Sequence, residues 1–361
     1  MNFLSNISLR KLLGNSWMII SGLALATLLT SCEKFYFDEG DCDPHYFVEY
    51  IYDMNMEWAD AFPSQVNSVE LLVFNPESGE LVARFSENDR AALSAPGYRM
   101  PIDLKPGTYD FVAWCGLSNN KKDLFYLPST ITNREQANCT LSRNYDGETA
   151  YQDNQLNPVF HGRIIANLPD EQGVHVVQVK LTKDTNNINI SMQHVMGDPL
   201  SSKMFTITMS DGNGHLAYDN SLLPDGGIEY RPWSIRDGNS DVENNPDDSD
   251  NLNFFIAELS TSRLMADRDT RINIIENETG KTVYSIPFIK WATTFRSEQY
   301  SDANNDLRTI ADNQEYLDRQ SDYNIMLYLD NKDGWSVAAI FINSWRVVEQ
   351  GADVDSSNNS N

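Results

Sequence analysis

Residues 66–85 read VNSVELLVFNPESGELVARF, and this stretch decides the fold class. Residues 66–75 are rich in β-branched and large apolar side chains, which is typical of a strand. The next four residues are Pro, Glu, Ser and Gly, a composition that reverses the direction of a chain. Strand-like residues resume at 80–85, so the stretch predicts a β-hairpin.

Short strand patterns of the same kind recur along most of the chain. They cover residues 45–52, 100–104, 109–114, 174–181, 187–192, 203–210, 215–218, 253–259, 271–276, 282–289, 323–329 and 336–348. Two of them, 203–210 and 215–218, flank the turn sequence DGNG and predict a second hairpin. Helical patterns are short, at 89–94 and 133–138. This spacing predicts an all-β protein of antiparallel β-sandwiches.

Length and composition divide the chain into several parts. Without its first 31 residues the chain of 361 is still longer than one core usually holds, which predicts two domains. Strand signals thin out among Asn, Asp and Pro between 116 and 173, and the boundary is expected in the second half of this region. The expected parts are a signal peptide at 1–31, an acidic tether at 32–44, an N-terminal β-sandwich at 45–165, a C-terminal β-sandwich at 166–349 and a polar tail at 350–361.

The first 31 residues have the pattern of an export signal. Arg10 and Lys11 precede an almost wholly apolar or small run at 12–29, which is interrupted and short for a membrane-spanning helix. The run ends in the sequence LTSC, which resembles the bacterial lipobox and predicts cleavage before Cys32 and acylation of its thiol. The alternatives are a retained membrane helix and an ordinary secreted protein with a chance cysteine at this point.

Charge and cysteine content limit the function further. The formal net charge is -25, and removal of residues 1–31 with their two positive charges makes it -27. Such a surface repels nucleic acid, so nucleic-acid binding is excluded. Once Cys32 is lipidated, Cys42, Cys115 and Cys139 remain. A disulfide such as Cys42–Cys115 is possible in an exported chain, but three thiols leave one over and the pairing is not readable from the sequence.

No catalytic or metal-binding motif is found. The five histidines have no paired spacing such as H-E-x-x-H, and there is neither a G-x-S-x-G elbow nor a phosphate-binding glycine loop. Met192, His194 and Met196 could be drawn as a metal cluster, but packing explains them better. The acidic run 247–250 lacks the spacing of a calcium loop, so a solvated loop is favoured. We therefore expect no enzyme activity, no metal and no cofactor other than the covalent lipid on Cys32.

Several segments together resemble a known family, the lipidated anchor subunits of type V pili in Bacteroides-like bacteria. The similar segments are 41–43, 54–56, 60–62, 66–74, 104–109, 111–114, 180–183, 186–188 and 342–345. They follow the family's order over nearly the whole mature chain. Each is a packing or turn signature, so the specificity of the resemblance comes from their sum.

The resemblance implies two tandem transthyretin-like β-sandwiches. It also implies a fimbrial anchor subunit that holds the base of a fimbrium to the outer membrane and limits fibre length. Acidic residues soon after Cys32 are compatible with export to the surface, so we expect the folded part on the cell surface. The implied partner is a fimbrial shaft subunit, engaged through a sheet edge or a terminal strand. The candidate exchange segment runs from Ser336 to Val348, and its alternative role is an ordinary core strand. The sequence does not decide whether the chain donates or accepts a strand.

Two other functions remain open. A surface glycan-binding lipoprotein would need exposed aromatic side chains, for which the candidates are Trp58, Trp233, Trp291 and Trp335. An exported enzyme would need a cleft with clustered carboxylates of raised pKa. A flat aromatic platform favours glycan binding, whereas an open or strand-exchanged groove favours the fimbrial role.

Overall fold

The protein is described from a computed structural model. The structure describes residues 43–117, 124–195, 200–240, 252–294, 310–331, 334–343 and 345–346. Residues 45–170 and 174–361 belong to one compact unit, and residues 1–44 with 171–173 to another. The described residues are mainly β-structure, which confirms the predicted all-β class.

Strands dominate from the first described residues onward. In chain order they begin with β1 (Pro44–Ile51), β2 (Val69–Phe74), β3 (Leu81–Glu87), β4 (Met100–Ile102), β5 (Gly107–Cys115), β6 (Phe125–Tyr126), β7 (Cys139–Leu141), β8 (Asn144–Asp146), β9 (Thr149–Gln152), β10 (Phe160–Leu168), β11 (Gly173–Lys180) and β12 (Thr182–Lys183). They continue with β13 (Thr185–His194), β14 (Phe205–Asp211), β15 (His215–Leu216), β16 (Ile228–Tyr230), β17 (Ser234–Ser240), β18 (Leu252–Ser262), β19 (Arg271–Glu276), β20 (Thr282–Pro287), β21 (Asp322–Asp330), β22 (Ser336–Ile342) and β23 (Trp345–Arg346). The helices are α1 (Phe62–Gln65), α2 (Arg90–Leu93), α3 (Phe288–Thr294) and α4 (Ile310–Arg319), with 3-10 turns at Arg134–Gln136 and Ser202–Met204.

The strands of the described residues form five sheets. Two come from the first part of the chain, with strand orders β11-β1-β4 and β12-β10-β5-β2-β3. Two larger ones have the orders β17-β18-β13-β21-β22-β23 and β20-β19-β14-β16-β9-β8, and a small one has the order β15-β7-β6. Most of the ladders are antiparallel, whereas β13 with β21 and β9 with β16 pair in parallel. The tandem transthyretin-like arrangement stays a prediction.

The hairpin predicted from residues 66–85 is confirmed, because β2 and β3 pair in antiparallel register. Its turn is stabilised by Asn75, whose side-chain oxygen accepts hydrogen bonds from the backbone N–H groups of Glu77 and Ser78. Gly79 has a φ of 73°, a left-handed conformation that favours glycine. Composition thus fixed both the turn and the strands around it.

The β5-β2 part of the sheet is buried on both faces. Leu71 and Val73 belong to one hydrophobic cluster, and their neighbours Leu72 and Phe74 belong to the other. Side chains of a strand alternate between faces, so this sheet lies between two cores. A strand covered on both sides has no polar face, which explains the continuous apolar run LLVF at residues 71–74.

The expected domain boundary at 165/166 lies inside strand β10, which the sequence reading missed. β10 pairs with β5 over its whole length, from Phe160 opposite Cys115 to Leu168 opposite Gly107. Gly162 is required there, because a Cβ would come within 2.6 Å of the Lys180 carbonyl oxygen. Strands β11 and β12 also pair within the first two sheets, whereas the earlier strands β6 to β9 belong to the small sheet and to the sheet that contains β14 and β16. The sheets are therefore not divided at a single point of the chain.

Three other local expectations are corrected. The DGNG segment does not form a hairpin: β14 pairs with β16 and β19, and β15 pairs with β7. The strand expected at 282–289 ends at Pro287, where helix α3 begins. The strand expected at 336–348 is split by Asn343, whose φ is 47°, into β22 and β23. Helix α4, which buries Tyr316 and Leu317, was not expected.

Candidate functional site: the first strand and the free sheet edges

Cys32 lies outside the described residues, which begin at residue 43. Strand β1 starts at Pro44 and occupies the middle of the sheet β11-β1-β4. Its side chains Tyr46, Val48 and Tyr50 are buried, at 4%, 0% and 2% exposure. The chain that leaves the tether therefore enters the core directly as a strand with neighbours on both sides.

Further contacts hold the end of this strand. The Tyr50 ring stacks on Phe62 of α1 with centroids 5.5 Å apart. The Asp60 carboxylate accepts a hydrogen bond from the Tyr52 backbone N–H at 2.9 Å. Arg319 of α4 donates to the Asp53 carbonyl oxygen at 2.9 Å, which ties the segment after β1 to a helix late in the chain.

The tryptophans proposed for a glycan platform do not supply one. Trp291 is buried, and Trp335 packs edge-on against Phe205 with centroids 5.2 Å apart. Trp233 is half-buried. Trp58 is 55% exposed, but the Arg319 guanidinium lies over its ring at 3.6 Å. Of the four rings, only Trp58 is highly exposed, and a guanidinium covers one of its faces.

The predicted exchange segment from Ser336 to Val348 is built into a sheet as far as the structure describes it. Ile340 and Ile342 of β22 are buried at 5% and 1% exposure, and β22 pairs with β21. Residues 347–348 lie outside the described residues. The role of the segment in strand exchange stays a prediction.

Among the described residues, one side of β22 is paired over only part of its length. The two-residue strand β23 pairs only with Phe341 and Ile342, so residues 336–340 have no strand on that side among the described residues. The other long edge strands carry charges or a proline: Arg84 in β3, Lys180 in β11, Arg236 in β17 and Pro287 in β20. Such residues discourage pairing with another chain. The sequence of β22, SVAAIFI, has neither.

Cys115 and Cys139 are free, fully buried thiols. Burial raises the pKa of both thiols far above the ordinary value, so both stay protonated and unreactive. A free Cys115 weighs against a Cys42–Cys115 disulfide. Cys42 lies outside the described residues, and its pairing stays a prediction.

Asp184, between β12 and β13, is a fully buried carboxyl group. Its Oδ1 accepts a hydrogen bond from the Asn220 side chain at 2.9 Å, and its Oδ2 has no partner among the described residues. Burial raises the pKa of Asp184 to about 7, although the Arg263 guanidinium 3.8 Å away and the Asn220 hydrogen bond lower it. The Arg263 side chain itself is held by two hydrogen bonds to Asp318.

We expect Asp184→Asn to stabilise the protein more and more as the pH rises from about 4 to 7. The unfolded carboxyl ionises near its ordinary pKa of 3.8, but the folded one near 7, so wild-type stability falls as the pH rises through this window. Asn has no proton to lose. The gain reaches at most roughly 4 kcal/mol above pH 7. It is measured as the difference between the unfolding free energies of variant and wild type.

The exposed Asp269→Asn serves as the control and should leave the unfolding free energy nearly unchanged, because exposed ion pairs contribute little. A difference for Asp184→Asn that is constant with pH, or a variant less stable than wild type at pH 8, contradicts the assignment. Either result would mean that Asp184 is held ionised by Arg263.

The fold is similar to solved structures of bacterial adhesion and fimbrial proteins. A candidate adhesin from Bacteroides thetaiotaomicron aligns with a TM-score of 0.70 and 29% identity, over 86% of this chain and 99% of its own. Another protein of that species, provisionally described as polysaccharide-binding, gives 0.69 and 27% with the same coverage. The fimbrial anchor protein Mfa2 from Porphyromonas gingivalis shares the fold with a TM-score of 0.60 and 16% identity, over 85% of this chain and 99% of its own. These likenesses define a class of β-sheet proteins of fimbriae and bacterial adhesion.

The family model of the fimbrillin-A associated anchor proteins Mfa1 and Mfa2 matches residues 38–351. The match covers most of the chain, and the chain belongs to this family of fimbrial anchor subunits. The comparison with curated proteins gives no significant match. Within the described residues, no helix has the length and apolar character needed to cross a membrane. The predicted resemblance to fimbrial anchor subunits is confirmed, and with it a place in the cell envelope.

Proposed function

We propose that the chain is lipidated on Cys32 and holds the base of a fimbrium to the outer membrane in a structural, non-catalytic role. The observation that carries the proposal is the position of β1. Only residues 33–43 separate Cys32 from this strand. Eleven residues span at most about 40 Å when fully extended, so the lipid is joined by a short link to a strand inside a sheet.

This arrangement suits a protein that bears mechanical tension between the membrane and a fibre. Several acyl chains on one cysteine, each contributing about 0.8 kcal/mol per buried methylene, resist extraction from the membrane. A pull on the tether acts along β1, whose ladder bonds to β11 and β4 resist together. The load then passes into the core through the buried side chains of β1. An anchor held in this way also ends fibre growth at its base, and we propose that it thereby limits fibre length.

The shaft subunit is proposed to pair with the free side of β22. Edge pairing supplies a row of backbone hydrogen bonds, with side-chain pockets for specificity. Residues 336–340 are uncharged and have no partner strand on one side among the described residues. In this arrangement the chain accepts a strand from the shaft and keeps Ile340 and Ile342 in its own core.

Lysine substitutions on two edge strands test this contact. Ala338 in β22 and Val82 in β3 are matched, because each is exposed and each is the extra residue of a β-bulge against the neighbouring strand. We expect Ala338→Lys to lower the affinity for the purified shaft subunit by at least about tenfold, or 1.4 kcal/mol. Val82→Lys should leave it unchanged. Surface plasmon resonance measures both.

The outcomes separate the candidate edges. Loss of binding in Val82→Lys alone would place the contact at β3. Unchanged binding in both variants would reject edge pairing at either strand, while leaving the lipid anchor untouched. A thermal melt of each variant shows whether the sheet is intact.

A further inference from the structure

A cleft of about 860 Å³ lies where the small sheet β15-β7-β6 approaches the strands β8 and β9. Residues 140–143 and Tyr145 line the cleft, together with Tyr126 and residues 225–227. This volume lies within the range of common ligand pockets, which measure about 300–1,000 Å³. Neither fimbrial anchoring nor edge pairing uses it.

Exposed aromatic side chains are concentrated at this cleft. Among the described residues, the large aromatic side chains with high exposure are Trp58, Tyr126 and Tyr145. Two of the three line the cleft, with exposures of 51% and 68%. An exposed tyrosine binds most favourably to a ligand that covers the face of its ring and also forms a hydrogen bond with its hydroxyl group.

The polar groups beside the rings are fixed in place. The two terminal nitrogens of Arg143 each donate a hydrogen bond to Asp225, both at 2.9 Å. Asp225 also accepts from the Gly214 backbone N–H at 2.9 Å. The Arg143 and Asp225 side chains are only 14% and 9% exposed, so the pair is held rigidly at the wall of the cleft. A guanidinium has five N–H donors, and this pair uses two of them.

The charges select the kind of ligand. Arg143 and Asp225 neutralise each other, and Glu148 adds a negative charge to the lining. With a net charge of -25 on the whole chain, an anionic ligand is disfavoured. Leu141 and Ala150 are the aliphatic members of the lining, which is too little apolar surface for a hydrophobic ligand.

We propose that this cleft binds a neutral carbohydrate, with sugar faces on Tyr126 and Tyr145 and sugar hydroxyl groups on the Arg143–Asp225 pair. A sugar combines an apolar C–H face, which packs on an aromatic ring, with hydroxyl groups that both donate and accept hydrogen bonds. The volume suits a short oligosaccharide. The anchor thereby has a second, adhesive surface that is independent of the fimbrium.

The test measures binding of the full lipidated chain, in detergent, to an array of neutral and acidic oligosaccharides. The neutral set is built from glucose, mannose, galactose and N-acetylglucosamine. We expect at least one neutral oligosaccharide to bind. Tyr145→Ala should weaken that binding about fivefold to tenfold, whereas Tyr145→Phe, which keeps the ring, should retain most of it.

A second variant fills the cleft without removing a contact. A Cβ at Gly226 would meet nothing within 4 Å, so Gly226→Phe should fold normally and block the ligand. An unchanged melting temperature shows that the fold is kept. No binding by the wild type to any neutral oligosaccharide, binding to acidic ones alone, or full binding by Tyr145→Ala overturns the proposal. None of these results depends on whether the chain anchors a fimbrium.

Discussion

Cells that make Cys32→Ala in place of the wild type are expected to shed most of their fimbriae into the medium. The substitution removes the thiol that we propose to be lipidated and leaves every described residue unchanged. Without acyl chains the base of the fibre has no hydrophobic hold on the membrane. Immunoblots of the shaft subunit in cell and medium fractions measure the effect, and electron microscopy gives the length of the released fibres.

Cys42→Ala is the matched control, because it removes a cysteine ten residues further along the same tether. It should leave the fimbriae on the cells. Fibres that stay on the cells in Cys32→Ala would contradict lipid anchoring. Loss from the cells in both variants would point instead to a general requirement for the tether sequence.

The largest effect on stability is expected for Asp110→Ala. The Asp110 carboxylate in β5 is fully buried and accepts hydrogen bonds from two arginines. Arg163 donates from Nε and Nη2 at 2.9 and 2.8 Å, and Arg134 donates from Nη1 at 2.8 Å. Removing the carboxylate leaves two largely buried cations side by side, which costs about 3–5 kcal/mol of unfolding free energy. Urea unfolding followed by circular dichroism measures the loss.

Asp269→Ala is the control for Asp110→Ala, because its ion pair with Arg271 is exposed at 76% and 42%. Exposed pairs contribute little, so this variant should unfold at the wild-type urea concentration. Equal stability of the two variants would contradict the structural role given to Asp110. Recovery of stability in Asp110→Ala at high salt would show that repulsion between the two arginines is the main cost.

Local signals explain which parts of the fold were predictable. The hairpin at 66–85 lies within one short stretch, so turn residues and strand composition were sufficient. Strand β10 was missed because its sequence, FHGRIIANL, contains glycine and several polar residues. Those residues contact partners that are distant in the sequence. Gly162 packs against the Lys180 backbone, and Arg163 donates a hydrogen bond to Asp110. The paired strand is visible only once the sheet is assembled.

The DGNG segment shows why a turn composition does not identify a hairpin. Asn213 is fully buried, and its side chain donates to the Ser262 and Arg263 carbonyl oxygens. Asp211 accepts a hydrogen bond from the Thr270 hydroxyl group at 2.5 Å. The segment is therefore held by the β18-to-β19 region, and its residues serve packing as well as chain reversal.

The candidate sites differ in the same way. The lipidation site at Cys32 is a prediction from the sequence alone, because a lipobox is a linear signal that needs no fold. Whether a side of β22 lacks a partner strand depends on which strands lie beside it in the folded sheet. No local sequence pattern predicts that neighbourhood. The tyrosine cleft joins Tyr126, Arg143 and Asp225, which are far apart in the chain. Tyr126 and Tyr145 lie in the polar region 116–173. The signal that could have indicated a binding site there was the presence of aromatic residues outside a strong strand pattern.

The most direct test of the central claim is affinity purification of the wild-type chain from detergent-solubilised outer membranes, with mass spectrometry of the proteins that co-purify. The account predicts recovery of fimbrial shaft subunits together with a lipid-modified peptide that begins at Cys32. Recovery of a carbohydrate importer without shaft subunits, or of an unmodified amino terminus, would contradict the claim that this chain is the lipid-held base of a fimbrium.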